Sequence, residues 1–430
     1  MAEETKDVVN RLAEHAMEYA HQRGCAKDES HVLLPVVDRL GRFTHAYKRW
    51  MTISELVVES VRKSKETRND LWLSLFSSCA TALRVPNIVR EVQCPDLVPQ
   101  YHPQQRWFSF ANGLFDTETV QFYPRDNPNI IVPVDTTAHI FIDHDFDPTP
   151  RDRWMAEVRD ALEPLLVADV IGIVDVYARH ETVVERLWRA HRYGDEAIAW
   201  CWAWLARGCL FVNGIRDNWQ RTLLVTGPED ARNLMFHLIR SLISPERLGY
   251  MPAYIEPYFA LSHIYDKFAY VAPQVNEKWC NITVPTLRSM NRRKPMTVSG
   301  NYRPATELPA GWTCPGVWLG TAVPEHITKS APGEFVVLSL TSPATSSIDM
   351  EDADRSAVYA ELDAELAVCI REMTLNYHRL SAAFPGDRDD GLDWFEFHLA
   401  PAELGASGRS VGKRRRRRSQ SPDRIVSGVR

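Results

Sequence analysis

The chain has 430 residues, 45% hydrophobic and 25% charged, enough apolar content for one large or several ordinary domains with real cores. Its formal net charge of −6 conceals an asymmetry: from Gly405 onward nine Lys or Arg accompany one acid, a net +8, which leaves −14 on the rest. A membrane span is excluded because no run of 18 apolar residues occurs, and eight scattered cysteines without a C-x-x-C pair exclude a zinc ribbon or a disulfide scaffold.

The first residues, Met-Ala-Glu-Glu-Thr-Lys, lack the apolar core of a signal peptide, which places the protein on the cytosolic or nuclear side. Val8 to Gln22 (VVNRLAEHAMEYAHQ) has apolar residues at three and four residue spacing, the pattern of an amphipathic helix. Similar stretches at Ile53 to Lys63 and Asp70 to Leu83 predict a mostly helical region over 1–103. From Trp107 the pattern shortens: WFSFANGLFDTETVQFYP sets Asn112-Gly113 between apolar runs, a hairpin signal because both residues tolerate positive φ. The run Asp143-His144-Asp145-Phe146-Asp147-Pro148 invites a metal reading. Alternation along a strand would send those groups to opposite faces, and Pro148 marks a solvated exit, so no metal is expected. Arg151 to Cys209 reads as helical, with the tryptophans of EAIAWCWAWLA as core, closing a strand-rich and helical region over 104–212.

Beyond Asn213, strands at Arg221 to Thr226, Phe268 to Ala272, Gly316 to Leu319 and Glu334 to Leu340 alternate with helical segments such as Ala231 to Ile243. This predicts an α/β core with a mainly parallel sheet over 213–345. A helix from Asp352 to Leu380 lies in a C-terminal helical region over 346–404. The last stretch, 405–430, reads as a disordered basic tail. Its run Lys413, Arg414, Arg415, Arg416, Arg417, Arg418 attracts polyanions, as a nuclear localisation signal or a nucleic-acid patch; a merely solubilising tail is the competing reading. Ser421 in SQSPDR is a candidate phosphorylation site.

Four segments, in order, resemble the superfamily 3 helicase-primase ATPase of large DNA viruses (poxvirus-type and giant viruses) and of phage and plasmid replication proteins. SFANGLFDTETVQFYPRD followed by HDFDP is similar to that family's NG-x-x-D and DYDP segments. LARGCLFVNGIRDNWQRTLLVTG resembles the lead into its phosphate loop, YFALSHIYDKFAYVAPQVNEKW its Walker B region, and CPGVWLGTAVP its motif C. The resemblance covers about Gln104 to Leu340. It implies a P-loop, AAA+-like ATPase core.

The residues that would bind and hydrolyse ATP are missing from these segments. A phosphate loop needs G-x-x-x-x-G-K-[ST]: glycines for close backbone approach, lysine for the β and γ charges, a hydroxyl for magnesium. GPEDARNL keeps Gly227 but has Arg232, Asn233 and Leu234 where the second glycine, lysine and hydroxyl belong. Pro228, Glu229 and Asp230 form a good helix start, yet their carboxylates would repel an anion there. Gln274 replaces the Walker B glutamate, and an amide is neither a general base nor a charge for magnesium. Thr321 aligns with motif C's asparagine, and Gly333-Glu334 with the paired arginines that supply the finger in trans. A finger alone is worth roughly 10³ to 10⁵ in rate, so the combined losses leave no turnover.

The family carries a DNA-facing hairpin between Walker B and motif C. The corresponding SMNRRKPMTVSGNYRPATEL clusters Arg292, Arg293, Lys294 and Arg303 with Tyr302, which could contact a backbone and stack on a base; a solvated loop is the alternative. In full-length relatives a primase half with paired aspartates precedes this region; the present sequence is not expected to contain it, and no primer synthesis is expected of it. These readings predict a helicase-primase homologue without ATP hydrolysis, acting as a DNA-binding, scaffold or accessory protein. No cofactor is expected. Its partners would be single- or double-stranded DNA, an active helicase-primase or other viral replication proteins, and further copies of itself, in the host nucleus, a viral replication compartment or the virion. An active ATP- and magnesium-dependent helicase with divergent motifs is the first alternative, and a virion DNA-packaging protein the second.

Overall fold

The computed structural model describes residues 15–27, 31–37, 41–52, 55–56, 59–60, 106–127, 136–147, 181–191, 193–210, 219, 221–251, 260–275, 282–300, 303–322, 324, 334–340 and 352–383. It divides into two compact units: Met1–Pro148 with Leu242–Ser244, and Thr149–Ser241 with Pro245–Arg430. Among the described residues no helix is long and apolar enough to cross a membrane.

In the first unit β1 (Ala26–Lys27), β2 (His31–Val37) and β3 (Phe43–Thr52) form an antiparallel sheet. A short helix over 15–21 packs Ala16, Met17 and Ala20 against Cys25, Val32 and Leu56. The expected helical region over 1–103 is therefore corrected. A helix occupies 15–21, inside the predicted 8–22, but 31–37 and 43–52 are strands. The sequence HVLLPVV is too short and too continuously apolar for a helical stripe. FTHAYKRWMT buries Thr44 and Ala46 on one side of the pleat while its alternate neighbours Phe43, His45 and Tyr47 stay more open, the period of two that strands impose. Of the other two predicted helices, residues 55–56 and 59–60 are helical, and Asp70 to Leu83 lies outside the described residues.

A second sheet runs β6-β5-β4-β7, from β4 (Trp107–Phe110), β5 (Gly113–Asp116), β6 (Gln121–Pro124) and β7 (Phe141–Ile142), with β7 parallel to β4. The predicted hairpin forms, one residue out of place: Ala111-Asn112 make the turn and Gly113 opens β5. Gly113 does not have a positive φ. A Cβ on it would stand 2.3 Å from the Tyr123 carbonyl oxygen and 2.6 Å from the Phe122 ring, so the glycine lets β6 lie close. Asn112 donates to the Phe146 carbonyl at 3.1 Å and accepts from its amide at 2.8 Å. Phe146 is thereby held in stacks on Phe115 and Phe122 and edge-on to Phe110. The HDFDP run thus contributes its phenylalanine to the core, while Asp143, His144, Asp145 and Asp147 are exposed.

Asp116, fully buried, takes a two-pronged ion pair from Arg106 and further hydrogen bonds from the Thr119 hydroxyl at 2.7 Å and the Glu118 amide at 3.0 Å. Burial pushes its carboxyl up, but those donors outweigh burial and hold it below its ordinary value.

The second unit runs α1 (Val183–Ala190), α2 (Asp195–Cys209), β8 (Thr222–Thr226), α3 (Glu229–Leu242), β9 (Leu248–Tyr250), a 3-10 turn (Ala260–His263), β10 (Ala269–Val275), α4 (Val284–Asn291), β11 (Met296–Gly300), β12 (Arg303–Leu308), β13 (Gly316–Gly320), β14 (Phe335–Ser339), α5 (Asp352–Ala364) and α6 (Leu366–Ala383). Five strands form one all-parallel sheet in the order β14-β8-β13-β10-β9; β8, β10, β13 and β14 lie within a few residues of their predicted positions, and the short edge strand β9 was not predicted. Strands buried on both faces read as continuous apolar runs, as TLLVT and GVWLG do. The predicted helix from Asp352 to Leu380 is two helices, broken at Glu365, whose carboxylate accepts from the Val183 amide at 2.8 Å.

α2 is the inner layer, in contact with β8, β10 and β13 on one side and with α6 on the other. Trp200, Trp202 and Trp204 are all buried, because a helix covered all round is apolar all round. Gly208 permits the contact with the sheet: a Cβ there would be 2.7 Å from a Val317 methyl. α1 is joined to α2 by Glu185, which closes a capping box with Thr182 and accepts from the Trp202 indole at 3.1 Å.

Asp116→Asn should lower stability by roughly 1.5–3 kcal/mol at pH 7, the worth of hydrogen bonds to a buried charge, as read by urea denaturation. A carboxyl held low stabilises the fold above its unfolded pKa and ceases to as pH falls through its folded one. The gap between wild type and variant should therefore narrow as pH falls below the ordinary carboxylate range and close only below the lowered folded value; a gap unchanged across that fall would count against this assignment.

Candidate functional site

Ligands of open parallel sheets bind beyond the carboxyl ends of the strands, where the connections part in opposite directions. Here the connection leaving β8 passes over β13 and β10 to β9, whereas the one leaving β13 passes over β8 to β14. The loop after β8 is therefore where a nucleotide phosphate would sit, and the helix that follows would offer its amino terminus.

Three backbone hydrogen bonds sew this edge together: Gly227 N–H to Gly320 O at 3.2 Å, Thr321 N–H to Val275 O at 2.9 Å, and Leu340 N–H to Thr226 O at 2.6 Å. Only Gly227 and Pro228 separate β8 from α3. A phosphate cradle needs a run of backbone amides aimed at one point; here that stretch of sequence is helix, and the Gly227 amide is engaged across the sheet. Gly227 answers a packing demand, since a Cβ would lie 2.7 Å from Leu340 O.

The substituted residues fill the space. Arg232 donates from Nε to Gly227 O at 3.1 Å, closing the turn. Leu234 is 4% exposed and belongs to the core; Asn233 is half-buried beside it. Asp230 forms an ion pair with Arg355 of α5 at 3.0 Å. Further along the same two helices His237 stacks on Tyr359, with ring centroids 4.4 Å apart, and pairs with Asp363 at 2.9 Å. Asp363 also accepts from Ser241 at 3.0 Å. Gln274 and Thr321 are exposed at the ends of neighbouring strands. The structure thus brings Gly227, Arg232, Asn233, Gln274 and Thr321 to one edge; Gly333 lies outside the described residues.

Glu334 lies at the opposite, amino edge, just before β14. It is 5% exposed and accepts from Arg288 Nε at 3.0 Å and Asn291 Nδ2 at 3.1 Å, with Arg292 at 3.6 Å. Asn291 also accepts from the Thr222 hydroxyl at 2.7 Å, so one polar knot ties the starts of β8 and β14 to the end of α4.

Strands β11 and β12 form the antiparallel hairpin, paired from Met296 with Leu308 to Gly300 with Arg303. The predicted nucleic-acid residues divide along it. Arg292, Arg293 and Lys294 are exposed at its base, Arg303 opens the return strand at its tip, and Tyr302 lies outside the described residues, as does the tail from Lys413 to Arg418. At 3.3 Å per residue, β11 sets base and tip about 13 Å apart.

Next to the base the structure assembles a cationic group that spacing did not reveal. Arg293 lines a small open cleft together with Arg207 and Arg221, over Trp312, Thr313 and Gly316. Arg207 comes from α2 and donates to the Arg221 carbonyl at 3.1 Å. Seventy or more residues separate it and Arg221 from Arg293, and no local pattern links such positions.

No protein-family model matches the chain, and no curated protein matches it. Among solved structures, an apo structure of the NrS-1 C-terminal region (305-718) aligns over 71% of this chain and 67% of its own, with 12% identity and a TM-score of 0.34. The A form apo structures of that region align over 45% and 48% of this chain at TM-scores of 0.33 and 0.31, with 12% and 11% identity. The aligned part spans about half of those two chains, 47% and 51%.

Gly227→Ala should destabilise the protein by roughly 1–3 kcal/mol, the usual cost of overpacking a filled site, and by the same amount with or without ATP. Unchanged urea unfolding would show that the Leu340 contact does not constrain this position.

Proposed function

We propose that the protein is a homologue of viral helicase-primases that has lost ATP hydrolysis and acts as a DNA-binding or scaffold protein of DNA replication. The observation that carries the loss is the two-residue connection from β8 to α3, with the Gly227 amide bonded to Gly320. Pre-placed amides and cations around the phosphates are most of what a phosphoryl-transfer site supplies. Here helix, Arg232 and Asp230, held by Arg355, occupy their places. A lysine at 233 alone would not rebuild such a cradle.

DNA binding is supported by the cationic hairpin base and by the tail from Lys413 to Arg418. Polyanions bind such groups by releasing counterions, without shape complementarity. The tail fits a nuclear signal or a second backbone contact, in a nuclear or viral replication compartment. Docking on an active helicase-primase is the corresponding scaffold role, and neither requires ATP or magnesium.

Titration of the purified full chain with a fluorescent ATP analogue should give no saturable binding up to millimolar concentration. Labelled single-stranded DNA should bind in the micromolar range or tighter at low salt, and weaken steeply as salt rises. Saturable nucleotide binding with DNA-stimulated phosphate release would overturn the loss of ATPase activity, in favour of an active helicase. Absence of DNA binding at 50 mM salt would overturn the DNA-binding role.

A further inference from the structure

We infer that the cleft at the amino edge of the parallel sheet, between Arg221 and Arg293, is a backbone-phosphate site for single-stranded nucleic acid entering from the base of the hairpin. The inference rests on the DNA-binding reading above and gives it a location other than the hairpin tip.

Two independent observations meet in this cleft. The first is chemical: three arginines, from α2, the residue preceding β8 and the turn after α4, line one open recess. Guanidinium forks match phosphate oxygens two at a time. Glu334, at this edge, is buried behind Arg288, Arg292 and Asn291, so its charge is balanced from within. Arg207 is fastened to the Trp219 and Arg221 carbonyls and lies over the Trp204 ring, which fixes the segment carrying Arg221.

The second observation is backbone strain. Arg293 has φ of 49°, a left-handed conformation that a long side chain adopts at a cost and that persists where surrounding structure imposes it. The end of α4 imposes it: the Arg293 amide donates to the Met290 carbonyl at 3.1 Å and the Lys294 amide to the Ser289 carbonyl at 2.9 Å, a left-handed helix cap. Gly311, at φ 82°, admits that turn, since a Cβ on it would lie 2.1 Å from the Arg293 carbonyl oxygen. A glycine or asparagine would sit at 293 with less strain, yet the position carries an arginine that lines the cleft. A single strand suits the recess better than a duplex does: Arg221 is half-buried and is reached by a chain that can turn inward, whereas a duplex presents its phosphates on a stiff convex surface.

The test uses full-length protein with Lys413→Ser and Arg414→Ser through Arg418→Ser, so that the tail cannot mask the cleft, and a labelled single-stranded oligonucleotide. In this background Arg221→Gln and Arg293→Gly should each weaken binding roughly tenfold, as loss of one charge-assisted contact implies. Each should also reduce the slope of log affinity against log salt by about 0.7, the value per phosphate of a single strand. Arg293→Lys should recover most of the binding. Arg293→Gly should melt no lower than its parent, because glycine adopts this φ freely, which separates lost contact from lost fold. Unchanged affinity and slope in either variant would overturn the cleft site. Loss of all binding in the tail-substituted chain, with binding by the intact chain, would overturn it too while leaving DNA binding to the tail. Absence of binding by the intact chain would remove the DNA-binding reading itself.

Discussion

The parallel sheet of the second unit keeps hydrogen bonding after its strands have ended. In most sheets of this kind the chain turns outward at the carboxyl edge and leaves amides there, which is why anions collect at that edge. Here Gly227, Thr321 and Leu340 each hand their amide to the neighbouring strand's last carbonyl. Leu340, packed against this edge, leaves room only for a glycine at 227, and α3 begins at once behind Pro228. The ion pair from Asp230 to Arg355 follows, and with it the placement of α5 along α3, continued by the His237 stack on Tyr359 and by Asp363.

The carboxyl edge and the amino edge therefore differ in kind. At one, backbone groups are paired with one another and the side chains are acids, amides and a leucine in the core. At the other, Glu334 is enclosed by donors and the outward groups are arginines. α2 lies between the sheet and α6 with three buried indoles, so the sheet that carries both edges rests on a helix packed on both sides.

Much of the sheet was legible in the sequence because its strands are short apolar runs bounded by Gly, Pro and charged residues, and the tryptophans of α2 announced a helix buried on every side. Several residues that carry the family resemblance have structural duties: Asn112 holds Phe146, Gly113 admits β6, and Asp116 anchors Arg106. Such positions look like site residues in a motif because close packing restricts them as tightly as chemistry does. The strands β2 and β3 went unread because helical periodicity on either side of them was extended across the gap, although FTHAYKRWMT alternates. The group formed by Arg207, Arg221 and Arg293 was illegible for a plainer reason: it is made by the crossing of α2, β8 and the α4 turn, and proximity of that sort leaves no trace in spacing.

The shortness of the link between β8 and α3 also bears on how this sequence can change over generations. Substitution alters side chains but not chain length, and a phosphate-wrapping loop here would have to be drawn from the first turn of α3, which Leu234 and the residues behind it hold in the core. Any mutation that unwinds that turn loses packing before it gains an anion site, and the reward would also need changes at Gly227, Arg232, Gln274 and Arg355. A single substitution that unwinds that turn therefore costs stability, whereas changes at exposed positions such as Gln274 and Thr321 leave the packing of this edge intact.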